Sequence, residues 1–291
     1  MSSPFFVLAP MDDVTDVVFR QVIASTCAPD IFFTEFVNVD GLQSPGREAL
    51  ITKLKYENNG HKVIAQIWGK NPENFYKTTK DIMDMGFYGV DINFGCPDKT
   101  IVKNNCCSAM IKKENRELAL EIIDAVKEAA GDKIKVSVKT RLGFNEIDYS
   151  WHSSLLRKKL NMLSVHARTR KEMSKVDAHW DLLAPIIDAK NTISPDTLIV
   201  GNGDIKNRAD GLEKARLSGV DGIMIGRGIF HDPYCFSESS PWNDMDPSEK
   251  IKLYIKHIEL FMQTYTGNKK FEPLKKFSKV YLHGFDNASD I

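Results

Sequence analysis

Eight short apolar runs of strand character lie between residues 5 and 228, and each of the first seven gives way to a stretch with helical spacing. The strand-like runs lie at 5–9, 31–36, 62–67, 89–94, 135–140, 162–166, 197–200 and 222–225. Helical stretches are expected at 16–26, 47–57, 71–85, 115–130, 148–159, 180–189 and 207–218, with Asn71, Asn115 and Asn207 as caps and Gly131 as a stop. Strict alternation of this kind demands parallel strands joined by crossover helices. Eight such units in about 225 residues predict a closed (β/α)8 TIM barrel. An open doubly wound sheet fits less well, because no Gly-x-Gly-x-x-Gly follows the first strand.

The pattern changes at Asp246. Ile251, Tyr254, Ile255, Ile258, Phe261 and Met262 mark one amphipathic helix, and Pro273 opens a second with Leu274, Phe277 and Tyr281 on its inner face. The expected division is therefore a barrel over 1–240 and a helical appendage over 246–291. Ser289 and Asp290 read as the cap of a further helix, so the appendage is expected to be incomplete.

A composition of 42% hydrophobic and 27% charged residues suits a soluble globular chain. No apolar run approaches the roughly 18 residues of a membrane span. The first residues enter a strand with no basic segment before it, which argues against a signal peptide. Five cysteines, Cys27, Cys96, Cys106, Cys107 and Cys235, are odd in number and irregularly spaced. They point to a reducing cytoplasm rather than a disulfide framework. No Cys-x-x-Cys pair occurs and the seven histidines are scattered, so no metal site is expected. With 39 basic and 39 acidic residues, net charge gives no support to nucleic-acid binding; only the distribution of charge can.

In such a barrel the active site forms at the C-terminal ends of the strands. Here those ends carry Pro10-Met11, Glu35, Gln66, Asn93 and Cys96, Lys139 and Arg141, His166 and Arg168, Asn202-Gly203-Asp204, and Gly226-Arg227. They should converge on one pocket. Gly-rich turns after the last two strands offer backbone N–H groups to a phosphate, and Arg227 adds a charged fork. Lys139, pointing inward, needs an accepting partner, either a ligand carbonyl or phosphate, or Glu35 or Asp91. His166 is a ligand contact or a satisfied core histidine. Gln66 and Asn93 offer neutral amides suited to the edge of an imide or isoalloxazine ring. Cys96, between Gly95 and Pro97, is a thiol aimed by the backbone, or else a small buried hydrophobe. Cys106 and Cys107 read as small-residue packing.

Taken together, these pieces resemble the tRNA-dihydrouridine synthase family over nearly the whole chain. The carriers are Leu8-Ala9-Pro10-Met11, Thr34-Glu35-Phe36, Gln66-Ile67-Trp68-Gly69 and Val90-Asp91-Ile92-Asn93-Phe94-Gly95-Cys96-Pro97. With them go Val138-Lys139-Thr140-Arg141-Leu142-Gly143, Val165-His166-Ala167-Arg168-Thr169-Arg170, Gly201-Asn202-Gly203-Asp204-Ile205 and Met224-Ile225-Gly226-Arg227-Gly228. The resemblance implies FMN bound through Pro10, Met11, Asp12, Gln66, Lys139, His166, Asn202, Gly203, Asp204, Gly226 and Arg227. It implies Cys96 as proton donor, Asn93 as a uracil contact, and NADPH or NADH as reductant. Hydride would reach uracil C6 from the flavin while Cys96 protonates C5, so an ordinary thiol pKa is expected. tRNA phosphates are expected to meet a rim of Lys99, Lys103, Arg141, Arg168, Arg170 and Lys171. A face of the tail helix carrying Lys275, Lys276, Lys279 and His283 should join them. The chain differs from the family at Asn105-Cys106-Cys107-Ser108, usually a glycine-rich loop, and at Phe277 and His283, usually His and Lys. A cytoplasmic monomer is expected. Two rival readings are a flavin barrel acting on a free pyrimidine, as in dihydroorotate dehydrogenases, and a tRNA-binding relative without catalysis.

Overall fold

Eight parallel strands hydrogen-bond in chain order and close on themselves: β1 (Phe5–Leu8), β2 (Ile31–Asn38), β3 (Val63–Trp68), β4 (Gly89–Asn93), β5 (Lys135–Gly143), β6 (Met162–Thr169), β7 (Leu198–Asn202) and β8 (Gly222–Ile225). The computed structural model describes residues 3–57, 59–266 and 269–282. Closure is made by β1 and β8, paired from Phe5↔Gly222 to Leu8↔Ile225. The expected barrel is therefore the fold.

The helices are α1 (Val17–Cys27), α2 (Val39–Leu42), α3 (Arg47–Ile51), α4 (Pro72–Asp84), α5 (Lys99–Lys103), α6 (Arg116–Ala130), α7 (Tyr149–Leu156), α8 (Ala184–Ile193), α9 (Arg208–Ser218), α10 (Pro247–Thr264) and α11 (Glu272–Tyr281). Asn71 and Asn207 cap as expected, accepting from the Glu73 and Asp210 N–H groups. Asn115 does not cap. A 3-10 turn, Lys113–Asn115, leads into α6, and the Asn115 amide donates instead to the Ala109 carbonyl at 2.9 Å. The stretch expected as one helix over 47–57 is α3 followed by a 3-10 turn, Thr52–Leu54. The stretch at 180–189 likewise begins as a 3-10 turn, Trp180–Leu183, before α8. The short helices α2 and α5 were not legible from spacing.

Alternation along the strands sorts the side chains. Val7, Ala9, Phe33, Ile64, Met162, Val200 and Met224 pack together as one small cluster, which fills the base of the lumen. Their neighbours Phe6, Leu8, Phe32, Ala65, Leu163, Ile199 and Ile225 join the larger core under the helices. One inward step further along the strands the lumen turns polar, with Gln66, Asp91, Asn93, Ser137 and Ser164 all buried. This gradient, apolar base to polar mouth, sets where a ligand can sit.

The C-terminal helices dock on α1. Leu274, Phe277, Val280 and Tyr281 of α11 are buried, and the Phe277 ring stacks on Phe19 at 5.1 Å. His257 of α10 lies beside them, its Nδ1 3.0 Å from the Tyr281 hydroxyl. Lys269 reaches back to Asp16, the cap of α1, at 2.9 Å. His283 and the Ser289-Asp290 cap fall outside the described residues. Among those residues, no helix is long and apolar enough to cross a membrane.

Candidate active site

Most of the expected cofactor residues meet at one cavity of about 160 Å³ in the barrel mouth, between β1, β5, β6, β7 and β8. Pro10 and Met11 form one wall, and Lys139 and His166 another. The turns Asn202-Gly203-Asp204 and Gly226-Arg227 close the third side. Gly203 has φ +135, and a Cβ there would lie 2.7 Å from Ala178 Cβ and 3.3 Å from His166 Cδ2. A Cβ on Gly226 would sit 3.5 Å from Ala9 Cβ and 3.9 Å from Met11 Sδ, inside the cavity. Only glycine leaves that space to a ligand.

Lys139 lines this cavity with no carboxylate at ion-pair distance among the described residues. Glu35 is taken by Lys53 at 3.5 Å and by the Asp13 N–H at 2.9 Å. Asp91 is taken by Gln66 and Ser137. Burial, then the Arg141 charge, brings the Lys139 ammonium down to about 8. Of the alternatives for Lys139, the ion pair is not formed, and an ammonium facing the cavity calls for an anionic or strongly accepting ligand.

His166 is held neutral. Burial comes first, then the charges of Arg141, Lys139, Arg168 and Arg227, and together they push its pKa well down. Arg168 Nη1 lies 3.1 Å from His166 Nε2. A guanidinium only donates, so Nε2 accepts and the ring proton sits on Nδ1. Arg168 also grips Asp204, which accepts in turn from Arg227 Nη2 at 3.0 Å. One carboxylate thus holds two guanidinium groups at the cavity edge.

The Cys96 turn is built from β4. Asn93 Oδ1 accepts from the N–H groups of Gly95 at 3.0 Å and Cys96 at 2.9 Å. Asn93 Nδ2 donates to Gln66 Oε1 at 2.9 Å, and Gln66 Nε2 donates to Asp91 Oδ2 at 2.7 Å. Ser137 Oγ completes the chain by donating to Asp91 Oδ1 at 2.5 Å. Burial raises the Asp91 carboxyl to about 7 against the opposing pull of Ser137, Gln66 and Lys139. From outside the turn, Arg141 Nε donates to the Gly95 carbonyl at 2.7 Å, while Nη1 spans the Thr169 and Met173 carbonyls at 3.2 Å each. Cys96 is left half-buried past the end of β4, outside the cavity lining but near enough for its charge to act on Lys139.

Several placements differ from expectation. Gln66 and Asn93 spend their amides on each other, on Asp91 and on the turn, and do not line the cavity. The Asp12 carboxylate pairs with Lys53, away from the cavity lining. Arg141 and Arg168 lie beneath the rim, 5% and 2% exposed, with guanidinium groups committed to carbonyls and to Asp204. Lys99, Lys103 and Lys171 are exposed, as are Lys275, Lys276 and Lys279 on α11.

Cys107 is the residue that sequence reasoning missed. Its thiol lies near enough to the Cys96 sulfur to act on it, so it is not mere packing. The Cys107 thiol, opposed by burial and aided by the Asp98 N–H and the Arg141 charge, draws the Cys96 thiol down to about 7. The ordinary thiol pKa expected of Cys96 does not hold. Burial, then the neighbouring Cys96, pushes the Cys107 thiol well up. Its signal in the sequence was a bulky residue in a loop whose backbone needs glycine, for Cys107 has φ 52.

A family model described as "Dihydrouridine synthase (Dus)" matches residues 7–291. The chain belongs to the dihydrouridine synthase family. It is 43% identical over 292 residues to "Probable tRNA-dihydrouridine synthase" of Staphylococcus aureus (strain Mu50 / ATCC 700699), covering 99% of this chain and 87% of that one. "Probable tRNA-dihydrouridine synthase 2" of Bacillus subtilis (strain 168) is equally similar, at 43% over 292 residues, 99% of this chain and 88% of that one. As a member of this family the protein is an oxidoreductase that reduces uridine in tRNA. That assignment favours tRNA over the free pyrimidine and over a relative without catalysis. Among solved structures, a 2-naphthoyl-CoA reductase complex superposes with TM-score 0.60 at 12% identity, over 79% of this chain and 48% of that one. A morphinone reductase variant in complex with tetrahydroNAD gives 0.55 at 11%, over 79% and 85%. At such identities only the barrel fold is shared.

Proposed function

We propose that the cavity holds FMN and that the half-buried Cys96 beside it protonates uracil C5 on the face opposite hydride delivery. The observation that carries this is Lys139, an unpaired ammonium that faces a glycine-lined cavity and lies near enough to Cys96 to feel its charge. The site fits the group. Gly203 and Gly226 leave room at the turns after β7 and β8, where Arg227 can reach a phosphate. Lys139 offers a donor to a ring carbonyl, and His166, protonated on Nδ1, offers a second. Bound FMN would supply the hydride to uracil C6, with NADPH or NADH as the source of electrons. Asn93 and Arg141 then hold the Cys96 turn so that the thiol proton is delivered to one carbon. Asp91, Gln66 and Ser137 fix Asn93 in place.

A uracil in folded tRNA must leave its stack to reach this mouth. Backbone contacts would come from exposed Lys99, Lys103 and Lys171 at the rim and from Lys275, Lys276 and Lys279 on α11. In this reading the barrel, over 1–240, does the chemistry and the helical part, from 246 onward, places the RNA. The setting is cytoplasmic, and a monomer carries every group the reaction uses. The visible spectrum of the purified protein tests the flavin. Dihydrouridine mapping in tRNA from cells lacking the protein tests the substrate. Cys96→Ala should keep the yellow colour and lose nearly all uridine reduction, and full turnover by that variant would remove Cys96 from the reaction. Arg227→Ala should release flavin on gel filtration.

A further inference from the structure

The loop 105–108 carries a feature that uridine reduction does not require. Cys107 sits in left-handed backbone, φ 52, as does Asn105 at φ 56. A cysteine there holds strain that glycine would relieve, and what the strain secures is the position of its sulfur. The Ser108 N–H donates to the Cys96 carbonyl at 3.3 Å, joining the two backbones. That link brings the two thiols near enough for each to act on the other. Cys106, although adjacent, turns away, with its Sγ 3.5 Å from the Asn104 carbonyl. Exposure is unequal too. Cys96 is half-buried, whereas Cys107 is 1% exposed.

We propose that Cys107 is a resolving thiol for Cys96: a hydroperoxide oxidises Cys96, and Cys107 closes an intramolecular disulfide that a small thiol reductant can reopen. The Cys96 sulfur attacks one peroxide oxygen, the O–O bond breaks, and Cys96 becomes a sulfenic acid as hydrogen peroxide gives up one water. The Cys107 sulfur attacks that sulfur, the S–S bond forms, the S–O bond breaks, and a second water leaves with the Cys107 proton. The two thiols lose two electrons and two protons together, and the peroxide is reduced to two waters. The low Cys96 pKa, about 7, places much of it as thiolate at neutral pH, the form that reacts with peroxide. The backbone bond from Ser108 to Cys96 holds the two segments together for that closure. The product has no proton to give at Cys96. Its effect on turnover rests on Cys96 being the donor proposed above.

The test is to treat the purified protein with stoichiometric hydrogen peroxide and map its peptides without reduction. Two of the five free thiols should disappear into one Cys96–Cys107 linked peptide, tRNA reduction should fall in step, and dithiothreitol should restore both. Cys107→Gly, which suits the backbone at φ 52, guards against a folding artefact. In that variant a second equivalent of peroxide should carry Cys96 on from sulfenic to sulfinic acid, with no recovery on reduction. Wild-type protein that forms no linked peptide, or that links Cys106 instead, overturns the proposal. A linked peptide with turnover unchanged would keep the disulfide and overturn the donor role of Cys96.

Discussion

Asn93→Ala tests whether the thiol-bearing turn is held by the lumen or only by its own loop. The substitution deletes three hydrogen bonds, to the Gly95 and Cys96 N–H groups and to Gln66 Oε1. The Gly95 N–H and the Gln66 carbonyl oxygen are buried, so each stays unsatisfied at about 1–3 kcal/mol, while the half-exposed Cys96 N–H recovers a water. The expected loss is about 3 kcal/mol, a large share of the roughly 5–15 kcal/mol that keeps a domain folded. The catalytic loss should be larger in proportion, because a turn free to shift by about 1 Å can cost about 10²-fold in rate. Urea unfolding, followed by Trp fluorescence, should show a lower midpoint with unchanged slope. Turnover on tRNA should fall with cofactor retained, and iodoacetamide should alkylate Cys96 faster. A variant with an unchanged midpoint and unchanged turnover would refute the view that Asn93 organises this site.

Other expectations concern pH and charge. Donation by Cys96 needs its proton, so turnover should decline as pH rises through about 7, and Cys107→Gly, by removing the first cause of the low value, should move that decline to higher pH. An unmoved decline would detach Cys107 from the thiol. His257, buried against Tyr281, has its pKa lowered from 6.5 to about 4. Between those values the unfolded chain takes up a proton that the folded one refuses, so stability present above pH 6.5 is lost toward pH 4. The loss amounts to at most about 3 kcal/mol. His257→Phe should flatten that slope in urea midpoints measured against pH, and an identical slope would exclude His257 as its source. Lys139→Met removes an unpaired cation from the lumen, so it should fold at least as tightly as the parent yet lose flavin on gel filtration. Equal retention of colour would mean that Lys139 does not face the cofactor.

The sequence by itself determined the barrel. Eight alternations of period and the turn residues at strand ends leave no other closed arrangement, and they placed Lys139, His166, Asn202, Gly203, Asp204, Gly226 and Arg227 around one mouth. These are local properties, since periodicity says which way a strand faces and a turn says where it stops. What each side chain bonds to was decided by tertiary structure. Asn93 meets Gln66 across 27 residues and Arg141 meets the Gly95 carbonyl across 46, contacts set by the register of adjacent strands. Asn115 has the right chemistry for a cap, yet the loop before it claims its amide for Ala109. Cys107 reads as filler in a linear sequence. Only the folded loop, in left-handed backbone and bonded to the Cys96 carbonyl through the Ser108 N–H, makes it a neighbour of Cys96.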